Sequence, residues 1–298
     1  MKLIIYPDTD IWNYMLQDYG VGGDITAIPL NQNCYIWQRF VRKIFGDYSV
    51  KPYLLFNNSL INSLKSLKSG DVFIVCDYST PALINAFDSL ICPNVSKWFW
   101  IWNPVLPHEY KIYERHFNFL RKHGFKLATF DPEDAERFSM HYFNQFFRMP
   151  TCQINEEDIA YDFYFVGFAK NREKEILELQ KQLSGFRLLF KVVHSKTEMI
   201  SYEENITNIK KSRCLVEIVQ KNQSGMTLRP LEALAFGKKL LTNNESVCLL
   251  DFFNSKNVFL YNKDDMSKIN DFLSNKIIPC ENKIMRKYDV SSWLKKFE

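Results

Sequence analysis

Short apolar runs alternate with helix-like segments along almost the whole chain, and this alternation restricts the fold more than any other feature. The runs at 2–6 (KLIIY), 71–76 (DVFIVC), 97–102 (KWFWIW) and 126–130 (KLATF) read as strands, and that at 71–76 is continuously apolar after Asp71. Strands of that kind are covered on both faces, as in parallel sheets wrapped by helices. Helices are expected between and after them at 11–19, 35–45, 81–91, 109–123 and 132–138. Thr80 and Asp131 stand as N-caps before Pro81 and Pro132, and Gly124 as a stop. Residues 143–160 are irregular and polar, and then the rhythm restarts. Strands are expected at 162–166 (DFYFV), 187–193, 214–219, 239–242 and 258–261, with helices at 172–183, 202–211, 231–236 and 266–274. The pattern predicts an α/β protein of two doubly wound, Rossmann-like domains, 1–150 and 151–298, facing a central cleft. A last helix over 285–297 is expected to pack back across the boundary.

Composition removes several classes. With 298 residues, 46% hydrophobic and 24% charged, the chain can bury two cores and is not disordered. The net charge of +4 comes from 38 basic and 34 acidic residues that are interspersed, which argues against nucleic acid as a partner. Seven cysteines, without a Cys-x-x-Cys spacing, argue against a zinc site or a disulfide framework. Reduced thiols and an opening MKLIIYPDTD without an export pattern make a cytoplasmic protein the expectation. No stretch approaches the ~18 apolar residues of a membrane span.

In open α/β sheets ligands bind at the carboxyl ends of the strands, so the strand-to-helix loops hold the candidate residues. The richest is 223–244 (QSGMTLRPLEALAFGKKLLTNN). Its loop Ser224-Gly225-Met226-Thr227 leads into a helix whose first N–H groups form an anion site. Thr227 can cap that helix and reach a phosphate. The planar fork of Arg229 suits phosphate oxygens, and Glu232 can accept a pair of ribose hydroxyls. A capped helix carrying a solvated Glu is the alternative. In the first half, Asp8 and Asp10 follow one strand and Asp77 ends another, and His108 follows the turn at Asn103 and Pro104. Asp8, Asp77 and His108 are candidate bases for an acceptor hydroxyl; turn caps or a surface His are the plainer readings. Trp98, Trp100 and Trp102 share one sheet face, with core packing as their first reading and Trp102 as a candidate lining residue. Asp8-Thr9-Asp10 has the form of a metal signature but follows the wrong strand, so no metal is expected. The helix at 35–45 carries Trp37, Phe40 and Phe45 among Arg39, Arg42 and Lys43. It is read first as a helix packed on the sheet, and second as one lying at a membrane surface.

Arg229-Pro230-Leu231-Glu232-Ala233-Leu234-Ala235, followed by Gly237-Lys238-Lys239 and a strand, resembles the donor-site segment of GT-B glycosyltransferases. Trp100-Ile101-Trp102-Asn103-Pro104, Thr129-Phe130-Asp131-Pro132-Glu133-Asp134-Ala135 and Tyr164-Phe165-Val166-Gly167 resemble the branch that assembles bacterial lipopolysaccharide and capsule. The resemblance implies a transferase moving a sugar from a nucleotide-sugar donor, a substrate rather than a cofactor, onto a glycan or lipid-linked glycan acceptor. It implies that Gly167 lets the donor approach, that Lys170 or Arg172 partners the diphosphate, and that Gly225, Met226, Thr227, Arg229 and Glu232 complete the donor site. Trp102 and Asn103 would face the acceptor. Peripheral contact with the inner face of the membrane is part of the same expectation. Many members carry Glu-x7-Glu; the first position here is Ser224, so only the ribose-facing role transfers, to Glu232. A non-catalytic two-domain α/β binder and another sugar-nucleotide enzyme such as an epimerase stand as alternatives. The missing G-x-G-x-x-G after the first strand weighs against the second.

Overall fold

The computed structural model describes the chain except residues 21, 33, 49, 78, 151–158 and 220–224 and the side chain of residue 196. It divides into two units, one of residues 1–144 with 294–298 and one of residues 145–293. The division falls six residues before the expected boundary at 150. The segment 151–158 and Ser224 lie outside the described residues.

The first unit runs β1 (Lys2–Tyr6), α1 (Asp10–Leu16), β2 (Ile25–Pro29), α2 (Ile36–Ile44), α3 (Asn58–Lys65), β3 (Val72–Cys76), α4 (Pro81–Leu90), β4 (Ser96–Ile101), α5 (Tyr110–Lys122), β5 (Phe125–Thr129), α6 (Pro132–Arg137) and β6 (His141–Tyr142). Its sheet has the order β2-β1-β3-β4-β5-β6, every pair parallel. The second unit runs β7 (Tyr161–Phe168), α7 (Glu173–Gln182), β8 (Leu188–Val193), α8 (Tyr202–Lys210), β9 (Ser212–Glu217), α9 (Leu228–Ala235), β10 (Lys239–Thr242), β11 (Val258–Leu260), α10 (Ile269–Ser274), α11 (Asn282–Lys287) and α12 (Val290–Leu294). Its order is β11-β10-β9-β7-β8, again parallel throughout. Counted within each unit, the first sheet follows the doubly wound order 2-1-3-4-5-6 and the second 2-1-3-4-5, each reversing direction between its first and third strands.

The strands form where the apolar runs lie. All five residues of β3 are buried, and Phe73 packs edge-on against Phe87, which stacks on Phe56 at 5.2 Å. Burying each such side chain contributes about 1.5–3 kcal/mol. The second core gathers Phe163, Phe165, Ile176, Cys214, Val216 and Leu241. Helix starts follow the capping chemistry. Asp131 accepts from the N–H groups of Glu133 and Asp134 at 2.9 and 3.1 Å, and Thr80 accepts from Leu83 N–H. Gly124 and Gly237 end α5 and α9 at φ +77° and +57°, where a side chain would be strained.

Three elements, β2, α3 and the two-residue β6, were not expected from the pattern. The expected helix over 285–297 is instead two short ones, α11 and α12, and residues 294–298 belong to the first unit. There Lys2 Nζ donates to the carbonyls of Leu294 and Phe297 at 2.7 and 2.6 Å. Phe297 sits buried against Trp98 and Phe143. α2 turns its polar side inward: Gln38 and Arg42 are its buried residues and Val41 is partly buried against the core, while Trp37, Phe40 and Phe45 are exposed.

Candidate functional site

The direction change in the second sheet lies between β7 and β9, and at their carboxyl ends most of the expected donor residues collect. β7 ends in Gly167 and Phe168, and the turn Lys170–Arg172 opens α7. Arg172 folds back: its guanidinium donates to the carbonyls of Phe168 and Ile218. It also lies 5.8 Å from the Phe165 ring centre. This explains Gly167 locally, because a Cβ there would stand 3.1 Å from Arg172 Nη2 and 3.3 Å from the Phe165 ring. Lys170 is exposed and holds φ +45°, a sparsely populated conformation for a side chain that extends to solvent.

β9 ends in Glu217, a residue sequence reasoning passed over. It is 4% exposed and accepts from the hydroxyls of Thr227 and Thr242. Burial raises its carboxyl pKa, opposed by those two hydroxyls and by the charges of Arg229 and Arg172. Thr227 therefore serves twice, donating to Glu217 and accepting from Arg229 N–H at 3.2 Å as the N-cap of α9. Gly225 is buried and Met226 half-buried beside it.

Arg229 and Glu232 lie one turn apart on α9. Arg229 Nη1 approaches Glu232 Oε2 to 2.7 Å, with side-chain exposures of 12% and 4%. The pair is a close charge contact rather than an aligned hydrogen bond. Arg229 Nη2 also donates to the Val166 carbonyl at 3.3 Å, and its guanidinium lies 5.7 Å from the Tyr164 ring centre. The other Glu232 oxygen accepts from Tyr202 Oη at 2.6 Å and Asn205 Nδ2 at 3.0 Å, and Asn205 in turn accepts from Tyr164 Oη. Glu232 is thus a buried, fully partnered carboxylate, not a solvated one. A ribose hydroxyl reaches it only if Tyr202 or Arg229 gives up its contact. Tyr202 and Asn205, both on α8, are further members of this network.

In the first sheet the direction changes between β1 and β3, and Asp8 and Asp77 follow those two strands. Asp8 Oδ1 accepts from Asn13 Nδ2 at 3.1 Å and Gln32 Nε2 at 2.9 Å; Asp10 begins α1. Asp77 holds φ +58°. Its carboxylate accepts from Trp102 N–H at 3.3 Å and Asn103 Nδ2 at 3.0 Å, which unites one candidate base with both candidate acceptor residues. Burial raises the Asp77 pKa, and these two bonds oppose the shift. Trp102 packs at 4.6 Å on Trp12, whereas Trp98 and Trp100 are core residues. His108 stands apart, exposed in the short turn Pro107–Glu109, and among the described residues it makes no side-chain hydrogen bond. A pair not foreseen is Ser79 Oγ and His116 Nε2, 2.8 Å apart; burial lowers the His116 pKa. Among the described residues no group of three or more His, Cys, Asp or Glu could hold a metal ion.

No family model and no curated protein matches the sequence. Among solved structures, the chain is similar to an alpha-glucosyltransferase in complex with UDP and a 13-mer DNA containing a central A:G mismatch. That similarity has 11% identity and a TM-score of 0.49, over 99% of this chain and 92% of the other. A second similarity is to accessory secretory protein 1, 2 and 3 of Streptococcus pneumoniae, at 12% identity and a TM-score of 0.45, over 80% of this chain and 54% of that one. At this level of likeness, the assignment of two doubly wound α/β units rests on the chain's own strand order.

Proposed function

We propose that the chain is a GT-B glycosyltransferase. It would move a sugar from a nucleotide sugar onto a bacterial surface glycan, or its lipid-linked precursor, at the inner face of the membrane. One observation carries the reading. The N-termini of α7 and α9 and the guanidinium groups of Arg172 and Arg229 meet at the β7/β9 switch point, an arrangement suited to a diphosphate.

The second unit takes the donor. Gly167, Gly225 and Met226 form its backbone approach, and Thr227 fixes the start of α9. Lys170, Arg172 and Arg229 neutralise the two phosphates. Glu232 orients Arg229 and exchanges its Tyr202 bond for a ribose hydroxyl. The first unit takes the acceptor through Trp102 and Asn103. An acceptor hydroxyl gives its proton to Asp77 as its oxygen bonds to the anomeric carbon, and the bond from that carbon to the phosphate oxygen breaks. The electron pair leaves with the nucleoside diphosphate, whose growing charge the arginines stabilise. No metal is assigned to this step, and the nucleotide sugar enters it as a substrate.

A thermal-shift panel of UDP-, GDP-, dTDP- and CMP-sugars tests the reading. A donor present at 100 times its Kd stabilises the fold by about 2.7 kcal/mol, or about 5–11 °C. Release of the donor's nucleotide without acceptor, a diphosphate from UDP-, GDP- or dTDP-sugars and CMP from CMP-sugars, separates a transferase from a binder. If no nucleotide sugar moves the melting temperature, the donor site is refuted.

A further inference from the structure

Helix α2 is amphipathic the wrong way round for a packed helix. Its inward residues are Gln38 and Arg42, 1% and 4% exposed, and its outward residues include Ile36 at 84%, Phe40 at 63% and Ile44 at 50%. The orientation is fixed by buried polar bonds. Gln38 Nε2 donates to the carbonyls of Tyr53 and Phe56, both at 2.7 Å, and its Oε1 accepts from Tyr35 N–H. Arg42 Nη2 donates to Asn31 Oδ1 at 3.0 Å. Rolling the apolar side inward would break all of these in a buried setting, so the exposed stripe is built into the fold.

The stripe has a definite chemistry. Ile36, Trp37, Phe40 and Ile44 fall within about 100° of arc on the helix. Arg39 and Lys43, both exposed, lie along one edge of it. Beyond the helix, Phe45, Tyr48 and Tyr53 extend the apolar surface. Phe45, Tyr48 and Tyr53 also line a pocket of about 500 Å³ with Lys51 in its wall. Asp47 is the one acidic residue between 35 and 53, against Arg39, Lys43 and Lys51 at the surface.

We infer that α2, with Phe45, Tyr48, Lys51 and Tyr53 beyond it, forms a docking face for an anionic phospholipid bilayer, lying in the headgroup boundary. An apolar stripe edged by cations, with Trp and Tyr rings carrying polar tips, matches that boundary in depth and charge. Two-fold pairing with a second copy would bring Arg39, Lys43 and Lys51 against their own kind, which disfavours the chain itself as the occupant. Among the described residues no helix is long and apolar enough to cross a membrane, so the contact is a surface one. The inference deepens the membrane placement proposed above but rests on no step of the reaction, and its test reads binding alone.

The full chain is sedimented with vesicles of phosphatidylcholine, with and without phosphatidylglycerol, at low and high salt. Binding is expected to the anionic vesicles and to fall with salt. Trp37→Ser with Phe40→Ser should weaken it at least about tenfold, and Lys43→Glu at least about fivefold. Ile112→Ser, at another exposed apolar position (68%), should leave it unchanged. All four side chains are exposed, so the variants should melt with the parent. Three results overturn the inference. One is no binding to anionic vesicles at low salt. Another is binding indifferent to Trp37→Ser/Phe40→Ser. The third is a dimer in solution that the same double variant dissociates.

Discussion

The Arg229–Glu232 pair offers a sharp test, because its two halves are buried together. Glu232 is 4% exposed at its side chain and Arg229 12%. Truncating Glu232 to Ala leaves the guanidinium with the Val166 carbonyl but no counter-charge at 2.7 Å, and removes the acceptor of Tyr202 and Asn205. Breaking a buried pair by deleting one partner costs about 3–5 kcal/mol. The second unit, residues 145–293, has about 150 residues. At about 2–4 °C per kcal/mol for that size, its melting point should fall by about 6–20 °C. Glu232→Gln keeps the volume and one acceptor oxygen and should fall less. Replacing both partners, Arg229→Met with Glu232→Leu, removes the stranded charge. The double variant should therefore melt above Glu232→Ala. Its remaining loss is about 1–3 kcal/mol, from Asn205 Nδ2 left without an acceptor. Nucleotide affinity should stay lost in the double variant, which separates stability from binding. Calorimetry of the three variants checks this. If Glu232→Ala melts within 2 °C of the parent, or the double variant is no more stable than the single one, the buried-pair reasoning is wrong.

Gly167→Ala places a Cβ 3.1 Å from Arg172 Nη2; overpacking of this kind costs about 1–3 kcal/mol, to be read by thermal melting together with weakened diphosphate binding. Burial pushes the Asp134 carboxyl up to about 6, so between about pH 4 and 6 the folded state holds more protons than the unfolded one. This group's contribution is greatest below pH 4 and lost as pH rises through 6. Asp134→Asn, which can keep the acceptor for Val105 N–H, should flatten that part of the pH–melting curve. Asp77→Asn should lower turnover about 10²–10⁴-fold with donor affinity unchanged, measured as product formation beside nucleotide titration. In the parent, the acid limb of the rate profile should lie above the usual carboxylate range, because burial raises Asp77. Turnover should survive EDTA, since Lys170, Arg172 and Arg229 supply the positive charge; loss on chelation with recovery in Mn²⁺ would return attention to Asp8 and Asp10.

What could be read along the chain was what depends on neighbours in sequence. A strand such as Val72–Cys76 declares itself because every residue of it is apolar, and α4 and α6 declare their starts through Thr80-Pro81 and Asp131-Pro132. β2 escaped because ITAIP is short, edged by glycines and closed by a proline, as an edge strand can be. α3 escaped because NSLINSLK is largely polar, with Leu60 and Leu64 buried in the core and Ile61 packed beside them. The candidate site was legible as a set of residues but not as a set of contacts. Glu232 meets Tyr202 and Asn205 across about thirty residues of chain, and Arg172 meets Ile218 across 46. No local pattern encodes such pairings, so neither the Tyr202 and Asn205 partners of Glu232 nor the Arg172 contact at Gly167 could be read from the sequence. Glu217 was passed over because one acid inside the apolar run 214–219 carries no motif, and only the fold brings Thr227 and Thr242 over it. α2 shows the limit most clearly. Its periodicity gives two faces and cannot say which one turns inward. That choice was made by the carbonyls of Tyr53 and Phe56 and the amide of Asn31, which only the polar face could satisfy, and it left the apolar face outside.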